Sequence, residues 1–294
     1  MIKFLSQRRE MMKLSMLGMA GAAAAVGSAS LGARQAAAQA AANSQLRTVL
    51  DRGKLLVGTG STNAPWHFEN EKGELVGMDI AMARILAKGL FDDESKVEFV
   101  RQDPAQRIPN INTGKVDIVI QFMTVNPQRA QLVHFTRPYY VEGVALLVRH
   151  DAEMKTYDAL MKAGSKARIS ILQNADADTT VKAALPQATI LQLDTQANVI
   201  QAIDSRRADA AAVDLSTVQW ITKRQPDRYA DAGKKWYSML YSAALRQGDP
   251  DWLRFVNTTF EVAMYGHQNA IYDKALQDFF GLEPPVREPG LPRI

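Results

Sequence analysis

The sequence predicts an α/β protein, and two observations carry that expectation. Short apolar runs rich in β-branched residues alternate with segments whose apolar residues recur at helical spacing. The best defined of these runs, residues 116–120, is apolar on both faces, as a strand covered on both sides of a parallel sheet must be. In chain order, strands are expected at 55–57, 97–100, 116–120, 145–148, 168–172, 189–193 and 210–213. Glu71, Lys72 and Gly73 mark a turn joining two further short strands. Helical spacing appears at 78–90, with Asp79 as expected N-cap, and again at 106–113, 198–205 and 215–224. Alternation of this kind favours largely parallel sheets. The length left after the N-terminal segment, roughly 250 residues, allows one large domain or two smaller ones.

The most informative stretch is KVDIVIQFMTVNPQR, residues 115–129. A buried strand runs directly into a helix start. Asn126 can cap the helix, and Pro127 suits its first position, where no backbone N–H is needed. Thr124 adds a hydroxyl and Arg129 a guanidinium fork, so the junction reads as a carboxylate receptor. A solvated helix bearing a surface arginine is the alternative.

The N-terminal segment reads as an export signal. Arg8 and Arg9 precede an Ala-, Gly- and Met-rich stretch over residues 14–31, and Ala38-Gln39-Ala40 fits a small-x-small cleavage site. The twin arginines resemble a Tat signal, with methionines in place of the usual Phe-Leu; a Sec signal is the alternative. Gly18, Gly21, Gly27 and Gly32 argue against a membrane anchor. Residues 1–40 hold Lys3, Arg8, Arg9, Lys13 and Arg34 against Glu10, which is the whole net charge of +4. The remaining chain is near neutral, and its balance gives no support for nucleic-acid binding. There is no cysteine, so disulfides, thiol nucleophiles and Cys-ligated zinc are excluded. The four histidines, His67, His134, His150 and His267, show no metal-ligand spacing, and neither metal nor cofactor is expected.

Three segments in this order, GKLLVGTGSTNAPWHFENEKGELVGMDIAMARILAKGL, IPNINTGKVDIVIQFMTVNPQRAQLVHFTRPYYVEGVALLVR and RADAAAVD, resemble the periplasmic solute-binding proteins of ABC importers, in the polar amino-acid-binding family (family 3). The resemblance covers nearly the whole chain after about residue 45. It implies a two-lobed periplasmic-binding-protein fold with a ligand cleft and a hinge crossed twice. Lobe 1 would take residues 43–147 and 243–294, and lobe 2 residues 148–242, with crossings near 147–149 and 241–243. It also implies a periplasmic monomer that hands its ligand to a membrane permease.

By the same resemblance, Arg129 matches the family's carboxylate-binding arginine, Thr124 the hydroxyl beside it, and Asp214 the acid that receives the α-ammonium. Asp214 can equally cap the helix that follows it. Several positions depart from the family's pattern. Asn63 stands where an aromatic is frequent, and Gln121 and Phe122 replace smaller residues. Asn63 and Gln121 suit a polar ligand side chain, while Phe122 or Trp66 can supply a flat apolar wall. Trp66 reads equally well as core. Asp176 follows Asn174 where a carboxylate-binding donor is usual; it would repel a carboxylate unless it caps the helix or meets a cation. Arg107 can reach the cleft mouth, although its sequence setting favours the surface.

Three functions fit this reading. The first is capture of a small polar solute, in particular an amino acid, for an ABC-type importer, with no catalysis. The second is a periplasmic enzyme resembling cyclohexadienyl dehydratase, for which Asp176 is the candidate acid. The third is a ligand-sensing partner of a membrane receptor.

Overall fold

The computed structural model describes residues 44–174, 176–266, 270–287 and 290. The expected export signal, with Arg8, Arg9 and the cleavage site at 38–40, lies outside the described residues, as does His267. The chain divides into residues 1–48 and 49–294. Of the first part only residues 44–48 are described, at the start of the helix Gln45–Arg52. All that follows concerns the second part.

Twelve strands are described: β1 Leu55–Thr59, β2 Thr62–Asn63, β3 His67–Glu69, β4 Leu75–Val76, β5 Val97–Arg101, β6 Ile118–Thr124, β7 His134–Phe135, β8 Tyr140–Arg149, β9 Arg168–Leu172, β10 Thr189–Leu193, β11 Ala210–Asp214 and β12 Tyr229–Leu245. The main sheet runs β10-β9-β11-β8-β12-β6-β1-β5, with β7 on β12. It consists of two parallel groups, β5-β1-β6 and β10-β9-β11. The long strands β8 and β12 join them, antiparallel to each other and to their neighbours β11 and β6. The expectation of largely parallel sheets therefore holds inside each group and fails at the junction. The small sheet β2-β3-β4 is antiparallel, and the turn expected around Gly73 connects its last two strands.

Alternation along β8 explains the second group's core. Val144, Leu146 and Val148 point to one face, where they meet Leu160, Ile169, Ile171 and Val181. Ala145 and Leu147 point to the other, against Val199, Ile203, Val218 and Ile221. A strand with apolar residues on both faces is thus covered twice, by the helices Tyr157–Ala163 and Ala177–Ala184 on one side and Gln196–Asp204 and Leu215–Arg224 on the other. In the first group, Ile118–Met123 of β6 are all buried. Val116, expected in this strand, lies before it. Its N–H and that of Lys115 both turn back to the carbonyl of Asn110, at the end of the helix Arg107–Asn112.

The two long strands are irregular where they pass between the groups. The β8/β12 register shifts between Asp231 and Lys235 and between Trp236 and Met239, and Tyr237 in the second shift has φ +57°. Bulges bend a strand and increase its twist, so β12 can change direction there. From Val144 onward β8 already pairs with β11, a few residues before the crossing expected near 147–149. On β12, Tyr241 and Ser242 pair with Thr124 and Met123 of β6.

Candidate functional site

The site is built at the C-terminal ends of β6 and β11, where open α/β sheets leave a crevice. At the end of β6, Asn126 Oδ1 accepts the Arg129 N–H at 2.8 Å, and Pro127 follows as the first helical residue. The cap expected from the sequence is therefore formed. The helix it opens, Pro127–Ala130, is a single turn, so its dipole contributes little. The cationic group presented at this junction is the Arg129 guanidinium itself. Its Nη1 donates to the Thr124 carbonyl at 2.9 Å, and its Nη2 lies 3.7 Å from Asp176 Oδ2. Burial lowers its pKa, and the Asp176 charge opposes that shift.

Phe122 lies two residues before Thr124, at φ +34°, a conformation that costs a non-glycine residue about 1–3 kcal/mol. Asp79 holds it there. This fully buried carboxylate accepts the Phe122 N–H at 2.9 Å and the Tyr139 hydroxyl at 3.1 Å, and His67 Nδ1 stands 2.8 Å away. The Phe122 ring stacks on His67 with centroids 4.7 Å apart, and Arg107 lies 5.5 Å over its face. Asp79 was the expected N-cap of its helix. The helix Met78–Phe91 instead starts behind Gly77, at φ +124°, where a Cβ would come 2.3 Å from the Trp66 carbonyl oxygen.

At the end of β11, Asp214 stands in the N-cap position of Leu215–Arg224, but its side chain makes no cap bond. Its Oδ1 accepts the Tyr241 hydroxyl at 2.8 Å. Capping falls to Glu142, which accepts the Ser216 N–H at 3.3 Å and the Ser216 hydroxyl at 2.5 Å. Burial pushes the Asp214 carboxyl well above the usual range; the Glu142 charge adds to this, and Tyr241 and Asn63 oppose it. Glu142 is itself raised by burial, with Ser216 and Gly143 opposing. Neither Asp214 Oδ2 nor Asn63 Nδ2 completes a hydrogen bond among the described residues. The Asn63 side chain still lies close enough to Asp214 to lower its pKa, and Asn63 Oδ1 accepts the Thr217 hydroxyl at 3.0 Å.

Five of the eight residues singled out in the sequence line one cavity of about 80 Å³: Phe122, Thr124, Arg129, Asp176 and Asp214. Asn63, Gln121 and Phe122 line an adjoining one of about 260 Å³. Phe122, Leu172 and Gln196 belong to both. Gln121 is less available than expected. Its amide is committed to Gln102, through Oε1 at 3.0 Å and Nε2 at 3.2 Å. Trp66 lines neither cavity. It is fully buried, donates from Nε1 to Ser216 Oγ at 2.9 Å, and packs edge-on against Tyr140, Tyr241 and Phe280. Of the two candidates for a flat apolar wall, Phe122 lines both cavities and Trp66 is core.

Arg107, expected at the surface, is buried and lines the smaller cavity. It donates to the carbonyls of Pro104 and Gln121, at 3.0 and 3.1 Å. Burial first, and the Arg129 charge second, lower its pKa to about 9. The sequence held a signal for it: Arg107, Asn110 and Ile111 share one helical face, and all three are buried. Tyr241, Tyr237 and Met239 also line this cavity, from the irregular part of β12. No group of three or more His, Asp or Glu among the described residues is placed to hold a metal ion.

Residues 55–280 match the model of bacterial extracellular solute-binding proteins, family 3. The chain belongs to this family. Relatives include the ABC transporter glutamine-binding protein GlnH of Bacillus subtilis, 23% identical over 79% of this chain and 85% of that protein. The L-cystine-binding protein TcyJ of Escherichia coli is 27% identical over 78% and 85%. Among solved structures, the ancestral amino acid-binding protein AncCDT-1, a precursor of cyclohexadienyl dehydratase, superposes with a TM-score of 0.71. It is 30% identical over 81% of this chain and 100% of that one. The cysteine-binding protein of Campylobacter jejuni gives 0.70 at 26% identity, over 80% and 92%. The fold of this family 3 solute-binding protein is thereby the two-lobed α/β fold that its sequence suggests. No helix among its described residues is long and apolar enough to cross a membrane.

Proposed function

We propose that this solute-binding protein captures an amino acid in the cleft between β6 and β11 and delivers it to an ABC-type importer. The observation that carries this reading is a guanidinium and a carboxyl group lining one cavity. The Arg129 guanidinium lies on the β6 side, and the Asp214 carboxyl on the β11 side. A zwitterion presents a carboxylate to the first and an ammonium to the second. The named relatives that bind glutamine, cystine and cysteine support the same solute class. Thr124 and Phe122 would flank the ligand's backbone, and Asn63 would face its side chain in the larger cavity, where Gln121 is held by Gln102. Lobe 1 (43–147 and 243–294) closes on lobe 2 (148–242) as a monomer, bending where β8 and β12 pass between the groups. The protein acts in the periplasm after loss of about 40 residues, the length of its signal-like segment. Recovery of full-length precursor from the cytoplasm alone would contradict that placement.

The test is a thermal-shift screen of the mature protein against amino acids, polyamines and small organic acids. A solute that binds the folded state alone raises the midpoint in proportion to the logarithm of its excess over Kd. An amino acid is expected to give the largest rise, accompanied by a smaller radius of gyration in solution scattering. Stabilisation by polyamines or organic acids with none by amino acids would overturn the reading. A second reading, a cleft enzyme, draws on Asp214, whose raised pKa favours the protonated form that a general acid needs. Chemical conversion of a screened solute during incubation is its signature.

A further inference from the structure

Asp176 is the residue whose charge contradicts a carboxylate site, and it lies against the arginine that the carboxylate needs. Its position is the N-cap of Ala177–Ala184, yet its side chain makes no cap bond. The carboxylate instead reaches across the cleft. Asp176 Oδ2 accepts from Asn126 Nδ2 at 3.1 Å and stands 3.7 Å from Arg129 Nη2. Asn126 and Arg129 flank Pro127 at the end of β6, so both interactions join the two sides of the cleft. The Asp176 N–H is also committed, to Asn174 Oδ1 at 2.8 Å. That helix start therefore offers the solute a negative side chain in place of the Asp176 backbone donor. The other cation lining this cavity, Arg107, is turned to the carbonyls of Pro104 and Gln121.

We propose that Asp176 is a built-in competitor for Arg129: it pairs with the guanidinium in the empty protein, and a solute carboxylate binds only by displacing it. This rests on the reading of Arg129 as the carboxylate receptor. Asp176 then does two things at once. It holds the empty cleft closed through an ion pair that spans it, and it weakens every carboxylate ligand by the free energy of that ion pair. Its displaced carboxylate keeps Asn126 as a partner, so displacement does not strand a buried charge.

Asp176→Asn removes both effects together while sparing the Asn126 contact, because an asparagine Oδ1 can still accept from Asn126 while the attraction to Arg129 is lost. Two measurements are made on the mature protein. Without solute, scattering should show a larger radius of gyration for Asp176→Asn than for wild type. In calorimetric titrations with L-glutamine, L-cystine and L-cysteine, any of the three that binds wild type should bind Asp176→Asn about three- to ten-fold more tightly. Weaker binding by the variant would instead make Asp176 a direct ligand contact, and an unchanged radius with unchanged affinity would overturn the proposal. If none of the three binds either protein, the ligand-free comparison still decides whether Asp176 closes the cleft, and the failure belongs to the amino-acid reading.

Discussion

Arg129→Ala is expected to lower affinity for the captured amino acid by about 2–5 kcal/mol, on the order of thirty-fold to several thousand-fold. The cost is large because the guanidinium is mostly sheltered, with 15% of its side chain exposed, and is fixed by the Thr124 carbonyl. A solute carboxylate transferred from water to this place without its partner keeps the desolvation penalty and loses the compensation. Arg107 does not substitute for it, since its Nε and Nη1 are directed at backbone carbonyls. The folded state should suffer little. Arg129 ties its own one-turn helix to β6, and its ion pair with Asp176 is long and partly exposed. Calorimetric titration beside the unfolding midpoint separates the two effects. Near-normal affinity in the variant would remove the carboxylate assignment.

Asp214→Asn should change affinity and stability in opposite directions. Affinity for a zwitterion falls by a similar 2–5 kcal/mol, because the buried acceptor for the ammonium loses its charge. The empty protein becomes more stable at neutral pH. Burial and the neighbouring Glu142 charge raise the folded pKa of Asp214 above its unfolded value. Between those two values the folded state binds more protons than the unfolded state, so stability falls as pH rises through that window. Asparagine removes the buried charge and can still accept from the Tyr241 hydroxyl. It takes no cap from the helix, because Glu142 serves Ser216. The melting midpoint should rise by about 2–4 °C per kcal/mol of strain relieved, and the variant's stability should depend less on pH across the same window. A variant less stable than wild type at neutral pH would show that Asp214 supports the fold.

Elements whose signals are local were legible in the sequence. Strands β9 and β10 and the helix Leu215–Arg224 lie at the expected residues. The Asn126–Pro127 helix start forms as its residue types predict, because capping is an interaction over three residues. What escaped was set by distant partners. The middle of β12, which includes the exposed Lys235 and Ser238, gives no strand-like apolar run; pairing with β8 and β6 makes it a strand. Tyr241, at its buried end, was missed with it. Glu142 and Asp79 are buried carboxylates, and composition does not distinguish those from surface acids until Ser216, Phe122 and Tyr139 are seen to face them. Arg107 had a readable helical face, and charge alone argued it outward. Trp66 was undecided between wall and core because its deciding partner, Ser216, lies 150 residues further along.

In the proposed complex one solute spans Arg129 and Asp214 with its two charged ends. The most direct measurement is calorimetric titration of the mature protein with the best amino acid from the screen, its carboxamide and its N-acetyl derivative. The first derivative lacks the carboxylate charge and the second lacks the ammonium. Each derivative is expected to lose about 2 kcal/mol or more, roughly thirty-fold in Kd. A carboxamide and an N-acetyl derivative that both bind as tightly as the free amino acid would contradict that arrangement.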